Sequence, residues 1–324
     1  MMQMSLADKI LKGDQGSAAR LITLIENMDR KGYDELTRLL PYTGKAHIIG
    51  VTGPAGAGKS TVIAKLVNRL SKQKRRTGII AIDPTSVQSR GAVLGDRLRM
   101  KEIEDSGETF IRSMADREHP GGICRAALGA VYVMEAMGKE FVIIESVGAG
   151  QSDKALFLIC DTIVTVFTPE FGDEIQLLKA GLLEIGDIVV VNKGDKAGAQ
   201  DAVCAISGCL PGRPDGEWTV PILLTEARAN KGIDDLVDAV EARWRFLQDF
   251  TNILRTKREK VTSFIMTLLR EELWQRFFDA CSKDEGYQKI MNKVESGTID
   301  PYSAVEEIGD ILSARLQERQ EVKE

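Results

Sequence analysis

The sequence predicts an α/β protein: a mostly parallel sheet covered by helices on both faces, with a helical extension before it and a helical arm after it. Three observations carry that expectation. From residue 46 to 224, short Val- and Ile-rich runs alternate with longer amphipathic stretches, as strands buried on both faces and joined by helical crossovers would. The first run breaks into a glycine-rich turn, Gly53-Pro54-Ala55-Gly56-Ala57-Gly58-Lys59-Ser60-Thr61, which leads straight into helical periodicity. Before residue 45 and after residue 232 the apolar residues recur at helical spacing alone.

Residues 5–40 read as two or three amphipathic helices. Leu6, Ile10 and Leu11 share one face, Ala18, Leu21, Ile22, Leu24 and Ile25 another, and Gly13-Asp14 and Gly32 are breaks. This extension, residues 1–44, buries too little to hold a core and is expected to pack on the next domain. That domain, residues 45–248, has predicted strands at 47–52, 78–82, 109–111, 141–145, 162–167, 188–192 and 220–224, with helices at 61–71, 122–137, 173–183 and 199–207. From residue 233 the chain is helical again, over 233–257, 261–281 and, after a stop at Pro301, 302–319. Residues 249–324 form the arm. Its Phe264, Leu269, Leu273, Trp274, Phe277 and Phe278 exceed what a lone arm can cover, and pairing with a second subunit is favoured over folding back on the sheet.

Of 324 residues, 43% are hydrophobic and 28% charged, the net charge is −5, and no apolar run approaches membrane-spanning length, so a soluble chain with no membrane partner is expected. The basic run 72–76 lacks interleaved aromatics and reads as a solvated helix end, so no nucleic-acid partner is expected. Cys124, Cys160, Cys204, Cys209 and Cys281 are scattered without a CxxC pair, and the N-terminus shows no charged-then-apolar leader. Reduced thiols and a cytoplasmic location follow as expectations. His47 and His119 sit at no metal-site spacing.

Gly53, four residues, then Gly58-Lys59-Ser60 is the phosphate-loop spacing. Gly53, Gly56 and Gly58 let the backbone approach oxyanions, and the amides of Ala55, Ala57 and the residues through Thr61 can point inward at a polyphosphate. The helix that starts there adds its N-terminal dipole, Lys59 a full positive charge, and the Ser60 hydroxyl a magnesium ligand. Asp83, Asp96 and Glu145 end strands or lie in loops beside this turn and suit a hard, oxygen-seeking Mg2+, with Glu145 and Asp83 favoured for its shell. Asn192-Lys193-Gly194-Asp195 follows another strand. A carboxylate at Asp195 can accept from both N1–H and the 2-amino group of guanine, which adenine cannot match, so the nucleotide is GTP or GDP rather than an adenine nucleotide. Asn192 would tie this loop to the phosphate loop, the Lys193 stem would lie along the base, and Thr225-Glu226-Ala227 would close over the base edge.

These stretches, with Asp83-Pro84-Thr85-Ser86, Leu94-Gly95-Asp96-Arg97-Leu98-Arg99-Met100 and Glu145-Ser146-Val147-Gly148-Ala149-Gly150-Gln151-Ser152, resemble the MeaB/ArgK GTPases over nearly the whole chain. The resemblance implies a P-loop NTPase of the SIMIBI class. It implies a homodimer whose GTP hydrolysis gates adenosylcobalamin loading and protects or reactivates an acyl-CoA mutase, such as methylmalonyl-CoA mutase. The partners implied are the mutase's cobalamin-binding subunit and an adenosyltransferase. On the family pattern Lys59 and Ser60 hold phosphate and magnesium, Asp83, Asp96 and Glu145 surround the metal and the attacking water, and 169–176 is an additional switch. Asp83, Asp96 and Gln151 all remain candidates to orient the water. Arg97, Asp153, Glu226 and the stretch 114–120 depart from the usual pattern and leave the identity of the mutase open. Two rival readings are a nickel-type metal-delivery GTPase, which would need His/Cys clusters, and a kinase, which would seldom need a guanine-reading loop.

Overall fold

The computed structural model describes residues 4–84, 103, 108–116, 122–146, 158–169, 182–210, 217–248, 262–270, 272–274, 276–277 and 284–321. They fall in two compact units, Met1–Ile265 and Met266–Glu324.

The first unit opens with three helices, each with a side-chain cap. Helix α1 (Leu6–Ile10) starts at a capping box between Ser5 and Asp8, α2 (Gln15–Glu26) at Asp14, which accepts from the Ser17 N–H, and α3 (Arg30–Leu39) at Asp29, which accepts from the Lys31 N–H. Gly32, expected as a break, lies inside α3. A Cβ there would stand 2.9 Å from the Leu24 Cβ, so the glycine serves the close approach of α2 and α3.

Seven parallel strands follow: β1 (His47–Thr52), β2 (Thr77–Pro84), β3 (Thr109–Asp116), β4 (Phe141–Glu145), β5 (Thr162–Phe167), β6 (Ile188–Val191) and β7 (Ile222–Leu224). Their order in the sheet is β3-β2-β4-β1-β5-β6-β7. β3 is longer than the predicted 109–111. Arg112 and Ser113 break its apolar run, yet it pairs with β2 from Thr77↔Thr109 to Pro84↔Asp116. The Arg112 guanidinium donates to Glu26 and, at 3.0 Å, to Thr23 Oγ1, so the polar residue is partnered by α2.

Successive strand residues face opposite layers. Ile49, Val51, Ile79, Ile143, Val164 and Val190 pack against α4 (Lys59–Lys72) and, through Leu236, Val237 and Val240, against the late helix Ile233–Gln248. On the other face Gly78 approaches Met134 of α5 (Gly122–Ala136), and Phe167, Val189 and Val191 pack with Ile206 of α6 (Ala199–Cys209). The N-terminal helices lie on α5. Gly129 of α5 abuts Ile25, where a Cβ would be 2.7 Å from Cγ2, and buried Glu135 accepts from the N–H groups of Lys45 and Ala46, both at 2.9 Å. The helix expected over 173–183 lies outside the described residues except for its end.

Helix α7 is Ile233–Gln248, and residues 262–270 are also helical. In the second unit α8 (Glu285–Glu295), not expected from the sequence, is capped by Asp284, and α9 spans Pro301–Glu321. Pro301, expected as a stop, opens α9. Its missing N–H costs nothing in the first turn, and Asp300 accepts from the N–H groups of Tyr302 and Ser303. Among the described residues no helix is long and apolar enough to cross a membrane.

Candidate functional site

β1 lies between β4 and β5, and the chain leaves its carboxyl end through α4 toward β2 on the far side of β4. Ligands of open parallel sheets sit at such a divergence of crossovers. The loop 53–58 occupies this place. Gly53 has φ 146°, and a Cβ there would run into the Val166 carbonyl of β5. Gly58 has φ 91°, and its Cβ would lie 2.5 Å from the Asn192 side-chain nitrogen. These two glycines let the loop press against β5 and against the segment that follows β6 at once.

Helix α4 has no side-chain cap, since its N-cap is Gly58. Its first amides therefore suit an anion. Lys59 is buried in the turn, and its ammonium donates to the carbonyls of Gly53 at 2.8 Å and Pro54 at 3.2 Å. One residue on, the Ser60 hydroxyl donates to Glu145 Oε1 at 2.6 Å. Glu145 is 6% exposed and ends β4 opposite Val51 in the register. Thr61 is half-buried, while Ala55 and Gly56 stand exposed at the crown of the loop.

The second loop is tied to the first. Asn192, 4% exposed, donates from Nδ2 to the Ala57 carbonyl at 3.0 Å, and its Oδ1 accepts from Thr225 Oγ1 and from the Ala227 N–H, both at 3.2 Å. One amide thus joins the phosphate loop to the segments after β6 and β7. Lys193 takes φ 61°, and Gly194 donates to the Thr225 carbonyl at 2.9 Å with no room for a Cβ beside Leu224. Asp195 follows in an exposed turn.

Gly53, Ala55 to Thr61, Glu145, Asn192, Thr225 and Ala227 are therefore brought into one connected site, and Lys193, Asp195 and Glu226 border it. Asp83 is the penultimate residue of β2, in backbone register with Ala115. Asp96, Arg97, Gln151, Asp153 and all of 169–176 except Pro169 lie outside the described residues. His47 is a core residue, stacked on Trp244 at 4.6 Å and bonded to Thr162 Oγ1 at 2.6 Å. Cys204 and Cys209 are exposed on α6. The sequence assigned no role to Lys231, for which the available signal was an opposite charge to Glu226 across a short turn that ends in glycine.

A parallel sheet that carries a glycine-rich phosphate loop between its central strand and the next helix defines a P-loop NTPase. The family described as methylmalonyl Co-A mutase-associated GTPase MeaB matches residues 18–282. A provisionally named GTPase of Pyrococcus abyssi is 38% identical over 94% of this chain and 94% of its own. The mouse methylmalonic aciduria type A homolog, a mitochondrial protein, is 27% identical over 92% of this chain and 76% of its own. A crystal structure described as a LAO/AO transport system kinase shares the fold, with TM-score 0.72 at 22% identity over 95% of this chain and 96% of the other. The chain belongs to the MeaB family and is a GTPase.

Proposed function

We propose that this GTPase serves as a nucleotide-timed chaperone of an adenosylcobalamin-dependent acyl-CoA mutase, gating cofactor loading and protecting or reactivating the mutase. The family description, which names methylmalonyl-CoA mutase, supports the partner. The observation that carries the nucleotide-timed part is the Asn192 brace, because it makes the phosphate loop and the base loop one body. In this reading Asp195 selects guanine, Lys193 lies along the base, and the loop Thr225-Glu226-Ala227 closes over its edge with its backbone, the Glu226 side chain being turned to Lys231.

The Ser60 hydroxyl and Glu145 carboxylate, 2.6 Å apart, are the hard oxygen donors that magnesium takes, so the residues present fit the ion. Ser60 and Glu145 would hold it, with Asp83 and Asp96 completing the shell. Bound there, the ion would supply positive charge that offsets the negative charge of the nucleotide's phosphates. Lys59 and the loop amides stabilise the charge that spreads over the γ-phosphoryl group as water attacks in line. Asp83, Asp96 or Gln151 orients that water. In this proposal the chain works in the cytoplasm as a homodimer through residues 249–324, with residues 1–44 as an extension and 45–248 as the GTPase domain.

The test is GTP turnover by the purified chain with and without a cobalamin-dependent acyl-CoA mutase. Turnover is expected to rise about tenfold or more with the mutase, as for switches whose site a partner completes. Equal turnover would refute the chaperone reading and leave the GTPase standing.

A further inference from the structure

The turn after β7 is closed by two side chains of opposite charge. Glu226 and Lys231 face each other across an isolated antiparallel bridge, with the Glu226 N–H donating to the Lys231 carbonyl at 3.1 Å and the Lys231 N–H returning a bond at 3.3 Å. Their side chains meet as well. Lys231 Nζ lies 3.1 Å from Glu226 Oε1 and 2.9 Å from Oε2, so one ammonium serves both carboxylate oxygens. The backbone is committed to this closure. Asn230 has φ 57° and Gly232 φ 71°, and a Cβ on Gly232 would strike the Leu224 carbonyl. The lysine side chain is 69% exposed and the glutamate 26%, which puts the carboxylate on the inner side of the pair.

Glu226 sits between Thr225 and Ala227, both bonded to Asn192 Oδ1. If Asp195 takes N1–H and the 2-amino group, the neighbouring exocyclic group of the purine meets residues 225–227. That group is a carbonyl in guanine and an amine in adenine. A free carboxylate would repel the first and accept from the second, the wrong sign for a guanine site. We infer that Lys231 is a specificity-positioning residue: it neutralises Glu226 and holds it off the base edge, so that the preference set at Asp195 is not eroded. The inference rests on the guanine reading of residues 192–195.

The experiment measures GDP and ADP affinities by competition against a fluorescent guanine nucleotide. Lys231→Ala is expected to lower the GDP-to-ADP affinity ratio about fivefold, the scale of an exposed ion pair. Lys231→Arg keeps the ratio, and adding Glu226→Ala to Lys231→Ala restores it. A ratio unmoved in Lys231→Ala, or a double variant no better than the single one, overturns the inference, since a merely structural turn would weaken both nucleotides alike. Lys231→Met, which keeps the side-chain length, carries the same test if Lys231→Ala does not fold. Asp195→Asn separates the two readings. Unchanged GDP affinity with no gain for xanthosine diphosphate refutes the guanine site itself, whereas a switch toward xanthine with an unmoved Lys231→Ala ratio refutes only the role of Lys231.

Discussion

Asn192 is buried and makes three hydrogen bonds to two separate segments, so its truncation strands partners that water cannot reach. Asn192→Ala is expected to cost about 2–4 kcal/mol in urea unfolding, since each unsatisfied buried group costs about 1–3 kcal/mol. GDP affinity, measured by titration calorimetry, falls with it. Much at this scale was legible as candidates, because the types and spacing of Gly53 to Ser60 and of Asn192 to Asp195 suit phosphate and guanine, and the structure joins the two loops through Asn192. The hydrogen bond from Ser60 to Glu145 was legible only as two separate candidates, 85 positions apart, until β4 was placed beside β1. Lys231 was illegible, because a lysine near a glutamate has many solvated meanings and only the bridge gives it one partner.

Among elements, the N-terminal helices show most clearly what packing adds. Gly129 lets α2 settle on α5 against Ile25. Gly129→Leu is therefore expected to destabilise the chain by about 1–3 kcal/mol, the usual cost of overpacking a close contact. Gly208, near the end of α6 with nothing within 4 Å of its Cβ position, supplies the control. Gly208→Ala should leave the thermal midpoint unchanged or raised. Gly32 and Pro301 were both read as punctuation, a habit justified when local propensity decides. Gly32 instead answers to a neighbouring helix, and Pro301 stops nothing because a first-turn position asks for no N–H. The length of β3 escaped notice for a related reason: Arg112 looks like a strand end until Glu26 is found beside it.

For the whole molecule, the helical residues from 266 present Met266, Leu269, Leu273 and Trp274 largely exposed, an apolar stripe at helical spacing. The proposed homodimer would cover it. Sedimentation equilibrium is expected to give twice the mass of the chain, and Leu269→Glu combined with Leu273→Glu to give the monomer mass with GDP affinity kept. A native chain of monomer mass at micromolar concentration would refute the dimer.

By itself, the sequence determined the layered parallel architecture and the glycine-rich loop after the first strand, and it nominated the residues proposed to distinguish guanine, because strand burial, glycine backbone freedom and hydrogen-bond polarity are local properties written in residue type and spacing. The strand order, which sets Glu145 opposite Val51, the brace from Asn192 to Ala57 and the Glu226–Lys231 closure were decided only by the tertiary structure. Each of these joins residues distant in the chain or picks one partner among many. That choice is made by packing the whole sheet at once, which no local pattern encodes.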